Sequence, residues 1–66
     1  MNIELRFLQK AIEDKNFINF TYENQKFSKI KPLKLIEKEG VYTLKTHSKI
    51  YDFNKIKKLQ ISKERF

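Results

Sequence analysis

At Phe17 the apolar residues stop recurring with the period of a helix and begin to alternate. Before that point Ile3, Phe7, Leu8, Ala11 and Ile12 share one helical face, which predicts an amphipathic helix over 3–15. Asn2 suits its N-cap, Glu4 sits where the helix dipole favours an anion, and Asn16 suits a left-handed stop. After it, Ile18, Phe20 and Tyr22 fall on one side of an extended chain and Phe17, Asn19 and Thr21 on the other. The residues ENQK read as a polar turn, and a second run covers Phe27 to Glu37. Its alternation slips between Ile30 and Leu33, with Pro32 at the slip. This predicts one strand kinked there, or two short strands. Gly40 marks a hairpin, VYTLKT alternates again, HSK turns, and IYDF is a short strand. NKIKK reads as a single 3₁₀ turn that inserts Ile56, and LQIS as the last strand, with Leu59 and Ile61 inward. One helix followed by about five short strands within 17–62 predicts one mainly β domain over residues 1–66, a small and strongly bent barrel capped by the helix.

The chain has 66 residues and no cysteine, so disulfides, thiolate metal sites and thiol catalysis are excluded. Freedom from cysteine fits a reducing cytoplasm. The longest apolar run is far too short to cross a bilayer, and no membrane partner is expected. Fifteen basic residues against eight acidic ones leave a formal charge of +7, which suits a phosphate-rich partner. Thirteen of the fifteen are lysine, in a chain also rich in isoleucine, asparagine and phenylalanine. Two readings of the charge therefore stand side by side: a binding surface, or a compositional bias carried on solvated faces.

On the first reading the candidate ligand or nucleic-acid contacts are Lys29, Lys31, Lys45, His47, Lys49 and Lys55, with Lys34 beside Pro32. Hairpin pairing would bring several of these ammonium groups to one side, where each phosphate bound would release counterions. Tyr42 and Tyr51, with Phe53, are candidate stacking surfaces for bases. Tyr42 also shares the period of Leu44, so core packing with its hydroxyl at the rim competes with a ligand contact. His47 stands next to Ser48 in a turn with no second histidine, so neither a metal site nor a catalytic dyad is expected. No cofactor is expected either: the single glycine leaves no phosphate-cradling loop.

Taken in order, LQKAI, INFTY, KIKPLKL, GVYTL and YDFNKI resemble the WYL domain family over about residues 8 to 66. Leu8, Ala11 and Ile12 match its helix, and Ile18, Phe20 and Tyr22 its first strand. Pro32, Leu33 and Leu35 match its Pro-Leu-x-Leu stretch. The Trp-Tyr-Leu signature is represented by Val41, Tyr42 and Thr43, and the Phe-Arg-Leu-Asp-Arg-Ile segment by residues 51 to 56. Ser28 and Asp52 stand where the family carries arginine, and Lys55 replaces a further arginine. The resemblance implies a five-stranded SH3- or Sm-like barrel with an N-terminal helix. It implies a non-enzymatic, ligand-sensing module of a bacterial transcription regulator. The ligand would be an anion, a nucleotide or single-stranded nucleic acid, and the neighbour a fused or associated helix-turn-helix domain. Two alternatives remain open at this point. One is a direct single-stranded RNA or DNA binder; the other is a structural homodimerisation domain with Phe7 or Phe17 in the contact.

Overall fold

The computed structural model describes residues 3–66; the cap expected of Asn2 lies outside them. The first element is the helix α1 (Ile3–Asp14). Leu8 and Ala11 are buried, and Leu5 and Ile12 pack beside them. The buried stripe is thus 5-8-11-12, one step around the cylinder from the expected one. Ile3 and Phe7 are left 64% and 55% exposed. Helical spacing identifies a face, but its centre is set by what the helix lies on, here mainly the strands Pro32–Lys38, Asn16–Tyr22 and Ile56–Arg65. The helix stops one residue early. Lys15, not Asn16, takes the left-handed backbone (φ 57°), and Asn16 already belongs to a strand.

Six strands follow among the described residues: β1 (Asn16–Tyr22), β2 (Gln25–Ile30), β3 (Pro32–Lys38), β4 (Val41–Thr46), β5 (Ile50–Asp52) and β6 (Ile56–Arg65). A 3₁₀ turn, Phe53–Lys55, joins the last two. Two hairpins are two-residue turns with both central residues at positive φ: Glu23 and Asn24 (50° and 65°), then Glu39 and Gly40 (52° and 79°). That is the turn whose twist matches the strands on either side. Glu37 Oε2 accepts from the Gly40 N–H at 2.7 Å and steadies the second. The 3₁₀ turn comes slightly earlier than expected. The Asp52 carboxylate accepts from the Asn54 N–H at 3.0 Å, and the turn buries Phe53 as well as delivering Ile56.

The strands form two antiparallel three-stranded sheets, β2-β1-β6 (sheet A) and β3-β4-β5 (sheet B). The five-stranded closed barrel expected from the pattern is corrected on two counts. The run through Pro32 divides into two strands, and these belong to different sheets. The dividing point is chemical. Lys29 is left-handed (φ 53°), and both backbone groups of Lys31 are taken by His47. Pro32, which has no N–H to offer, opens β3 at the edge of sheet B. Three-residue β5 pairs with β4 alone and β6 with β1 alone, so among the described residues the ladder does not run around a cylinder.

Both sheets turn one side to a single core. Ile18, Phe20, Ile30 and Ile56 come from sheet A, Leu44 and Tyr51 from sheet B, and Leu8 and Ala11 from the helix. At its centre Tyr51 meets Phe20, Tyr22 and Phe27 edge-on, with ring centroids 4.9–5.7 Å apart. Such tilted contacts suit the quadrupoles of the rings. The Tyr22 hydroxyl accepts from the Asp52 N–H at 3.2 Å and ties one sheet to the other. Ile61, expected inward, is 37% exposed in the middle of β6.

Candidate anionic-ligand surface

The expected site residues do not share one face. Lys31 and His47 come into direct contact: the Lys31 N–H donates to His47 Nδ1 and the His47 N–H to the Lys31 carbonyl, each at 3.2 Å. An Nδ1 that accepts carries no proton, so the ring's donor is Nε2–H. Lys49 lies in the same turn as His47. Its backbone is fixed by buried Thr46, whose hydroxyl donates to the Lys49 carbonyl (2.7 Å) and accepts from the Ser48 and Lys49 N–H groups. The Lys49 ammonium stands 5.9 Å from the Phe27 ring centre. Lys29 adjoins this corner and reaches Glu64 at 3.9 Å. Lys45 is elsewhere, on the outer side of sheet B opposite Lys34. Lys55 is in the 3₁₀ turn, in a second neighbourhood with Glu23, Asn24 and Lys57.

The tyrosines are placed differently from the stacking role expected of them. Tyr51 is 3% exposed inside the aromatic cluster, so its ring cannot stack on a base. Burial holds its phenol above the usual tyrosine range, partly offset by a hydrogen bond with Ser48 and reinforced by neighbouring Tyr22. Tyr42 is half-buried against Phe53, as its shared period with Leu44 implies. Phe53 is buried too.

The outer side of sheet A assembles a surface that strand-by-strand reading did not collect. Lys26, Thr21 and Lys57 stand in one cross-strand row, on β2, β1 and β6. Asn19 pairs with Gln60 in the next. Asn19 Oδ1 accepts from the Lys29 N–H at 3.0 Å, at the bulge that bends β2. A matching irregularity lies across β1 in β6, where Lys58 adopts φ 53°. An extra residue at such a point re-aims a side chain. Lys58 thereby joins Lys26, Asn19, Thr21, Ser28 and Gln60 around a shallow hollow of about 270 Å³. A neighbouring hollow of about 460 Å³ shares Thr21 and brings in Asn24, Asn54, Lys55 and Lys57, with the carboxylate of Glu23 also on its lining.

At the opposite end of the strand Phe17 and Phe66 lie ring against ring at 5.4 Å, and the Lys31 ammonium is 5.8 Å from the Phe66 ring centre. Among the described residues Lys26, Lys57 and Lys58 have no carboxylate within ion-pair distance. The signal that would have found this surface was the odd-numbered set of FINFTY: Phe17, Asn19 and Thr21 are the strand positions that do not face the core.

No family model matches the chain, and neither a curated protein nor a solved structure matches it. Among the described residues no helix is long and apolar enough to cross a membrane.

Proposed function

We propose that this domain is a non-enzymatic binding module for an anionic, phosphate-bearing ligand, a nucleotide or single-stranded nucleic acid. On this reading it is the ligand-sensing part of a bacterial transcription regulator of WYL type, fused to or associated with a helix-turn-helix domain. Two three-stranded sheets around one core, with a helix packed on them, supply the mainly β composition with an N-terminal helix that this reading calls for. The observation that carries the reading is the row Lys26–Thr21–Lys57 with Lys58 beside it, cations without carboxylate partners among amide and hydroxyl side chains. Phosphate oxygens accept from all of these groups.

The length of the surface favours the second form of ligand, an extended strand. Lysines at one end and the Phe17–Phe66 pair at the other are the two parts used by single-strand binders, charge for the backbone and a ring face for a base. Lys31, bonded to His47, holds its ammonium 5.8 Å from the Phe66 ring centre and so joins that part of the expected corner to this surface.

Titration with labelled oligonucleotides of increasing length, and in parallel with mononucleotides, tests the proposal. Binding that tightens with length and weakens steeply with salt is expected. Phe17→Ala and Phe66→Ala should each weaken it, by about 1–3 kcal/mol for each base stacked. Tight, length-independent binding of one mononucleotide would identify a small-molecule sensor instead. Failure to bind either at low salt would remove the anionic ligand altogether.

A further inference from the structure

The outer side of sheet B has a different chemistry. Its cross-strand rows are Lys34–Lys45–Ile50, then Ile36–Thr43–Asp52, then Lys38–Val41. The neighbours in sequence, Leu35, Leu44 and Tyr51, face the core, so these residues face away from it. Ile50, Val41 and Ile36 are 64%, 49% and 40% exposed. Ile36 and Val41 are diagonal neighbours across β3 and β4, and Ile50 stands toward the other end of the face beside Lys45, so aliphatic and charged side chains are interspersed over it.

The first row says what kind of partner fits. Lys34 and Lys45 are direct cross-strand partners, with Cβ atoms about 4.5–5.5 Å apart by strand geometry. Two ammonium groups so placed repel each other, and neither has a carboxylate within ion-pair distance among the described residues. A carboxylate set between them would relieve that repulsion. Nucleic acid fits this side poorly. It offers no aromatic ring to a base, and Asp52 stands in its middle row.

We infer that the outer face of sheet B docks a protein segment of mixed acidic and aliphatic character. Its carboxylates lie over Lys34, Lys45 and Lys38, and its aliphatic side chains over Ile36, Val41 and Ile50. This surface is separate from the anionic-ligand surface on sheet A and does not depend on it.

The test uses the whole chain, labelled for amide NMR, and a short peptide alternating glutamate with leucine. A glutamine–leucine version, phosphatidylserine vesicles and a single-stranded oligonucleotide serve as comparisons. The acidic peptide should move the signals of Lys34, Ile36, Val41, Lys45 and Ile50 and leave Thr21, Lys26 and Lys57 in place. Lys34→Glu with Lys45→Glu should weaken it about tenfold or more, as reversal of a charged contact does. Ile50→Ser should weaken it several-fold while the far-UV spectrum stays unchanged. The inference is overturned if the peptide moves no signal on sheet B or if the double variant binds it as well as the parent. It is equally overturned if the glutamine version binds as tightly, or if vesicles or the oligonucleotide take this face in preference. The peptide and vesicle results do not bear on oligonucleotide binding by sheet A, which the same spectra report separately.

Discussion

Sheets A and B have three strands each, share one core and carry lysines on both outer sides, yet those outer sides are unlike. Around the lysines of sheet A stand Asn19, Thr21, Ser28 and Gln60. Around those of sheet B stand Ile36, Val41 and Ile50. A lysine is a point charge on a flexible stem and says little by itself about its partner. Its neighbours decide: hydrogen-bonding side chains suit a phosphate backbone, and aliphatic ones suit a protein surface. The shared core makes the contrast possible, because neither sheet is closed without the other and both outer sides are left to solvent.

The largest expected effect tests that sharing. Ile18 of sheet A and Leu44 of sheet B are both fully buried. Ile18→Ala and Leu44→Ala should each cost about 2–5 kcal/mol. Each should also lower a single unfolding transition for the whole domain, measured by denaturant titration with both fluorescence and circular dichroism. Separate transitions for the two sheets would break the comparison at its base.

Next comes the turn between β4 and β5, whose His47 holds Lys31 at the division between the sheets. Thr46→Val removes the hydroxyl that accepts from the Ser48 and Lys49 N–H groups and donates to the Lys49 carbonyl, which keeps its bond from the Thr46 N–H. A loss of about 1–3 kcal/mol is expected. Hydrogen exchange should rise first at residues 46–49, and at the Lys31 N–H that His47 holds.

The centre of the core has a pH signature. The folded Tyr51 phenol titrates above the ordinary value of 10.0 because it is buried. Up to about pH 10 both folded and unfolded chains keep the proton, so this group adds no pH dependence. Above it the unfolded chain loses the proton first, and stability falls as pH rises toward the folded value. Tyr51→Phe should flatten that alkaline fall in the thermal midpoint. An unchanged slope would place the ring outside the core.

A smaller effect belongs to the hairpin of sheet B. Gly40 has φ +79° and open space where a methyl group would stand, so Gly40→Ala meets backbone strain without a steric clash. About 1 kcal/mol of destabilisation is expected by chemical denaturation. The smallest effect separates the faces again. Lys34→Glu turns the repulsion with Lys45 into attraction and should stabilise the free domain by about 0.2–1 kcal/mol.

Much of the fold was legible along the chain. The change of period at Phe17 separates α1 from β1, and the ENQK and KEG turns fall where the structure turns. The slip at Pro32 marks a true corner. What local pattern could not supply was pairing. Whether two strands meeting at Lys31 remain in one sheet depends on His47, sixteen residues away, and no alternation encodes that bond. The site was less legible for the same reason. Lys29, Lys31, His47 and Lys49 are close in the chain or across one corner, and the structure brings them near one another. Lys26 faces Thr21 across the local hairpin, but Lys57 becomes a neighbour of Thr21 only through long-range register, and Lys58 joins them through a backbone irregularity. Tyr51 alternates like any strand residue, and its burial comes from rings on two other strands.

The contrast between the faces can be measured with equal charge removed from each. A labelled single-stranded oligonucleotide is titrated at several salt concentrations into the parent chain, into Lys26→Ala with Lys57→Ala and Lys58→Ala, and into Lys34→Ala with Lys38→Ala and Lys45→Ala. Loss of the sheet A lysines should weaken binding and reduce the slope of log affinity against log salt by about 0.7 for each phosphate contact removed. Loss of the sheet B lysines should leave that slope nearly where it was. Equal losses from the two variants would mean that diffuse charge, and not the surface built on Thr21, holds the strand.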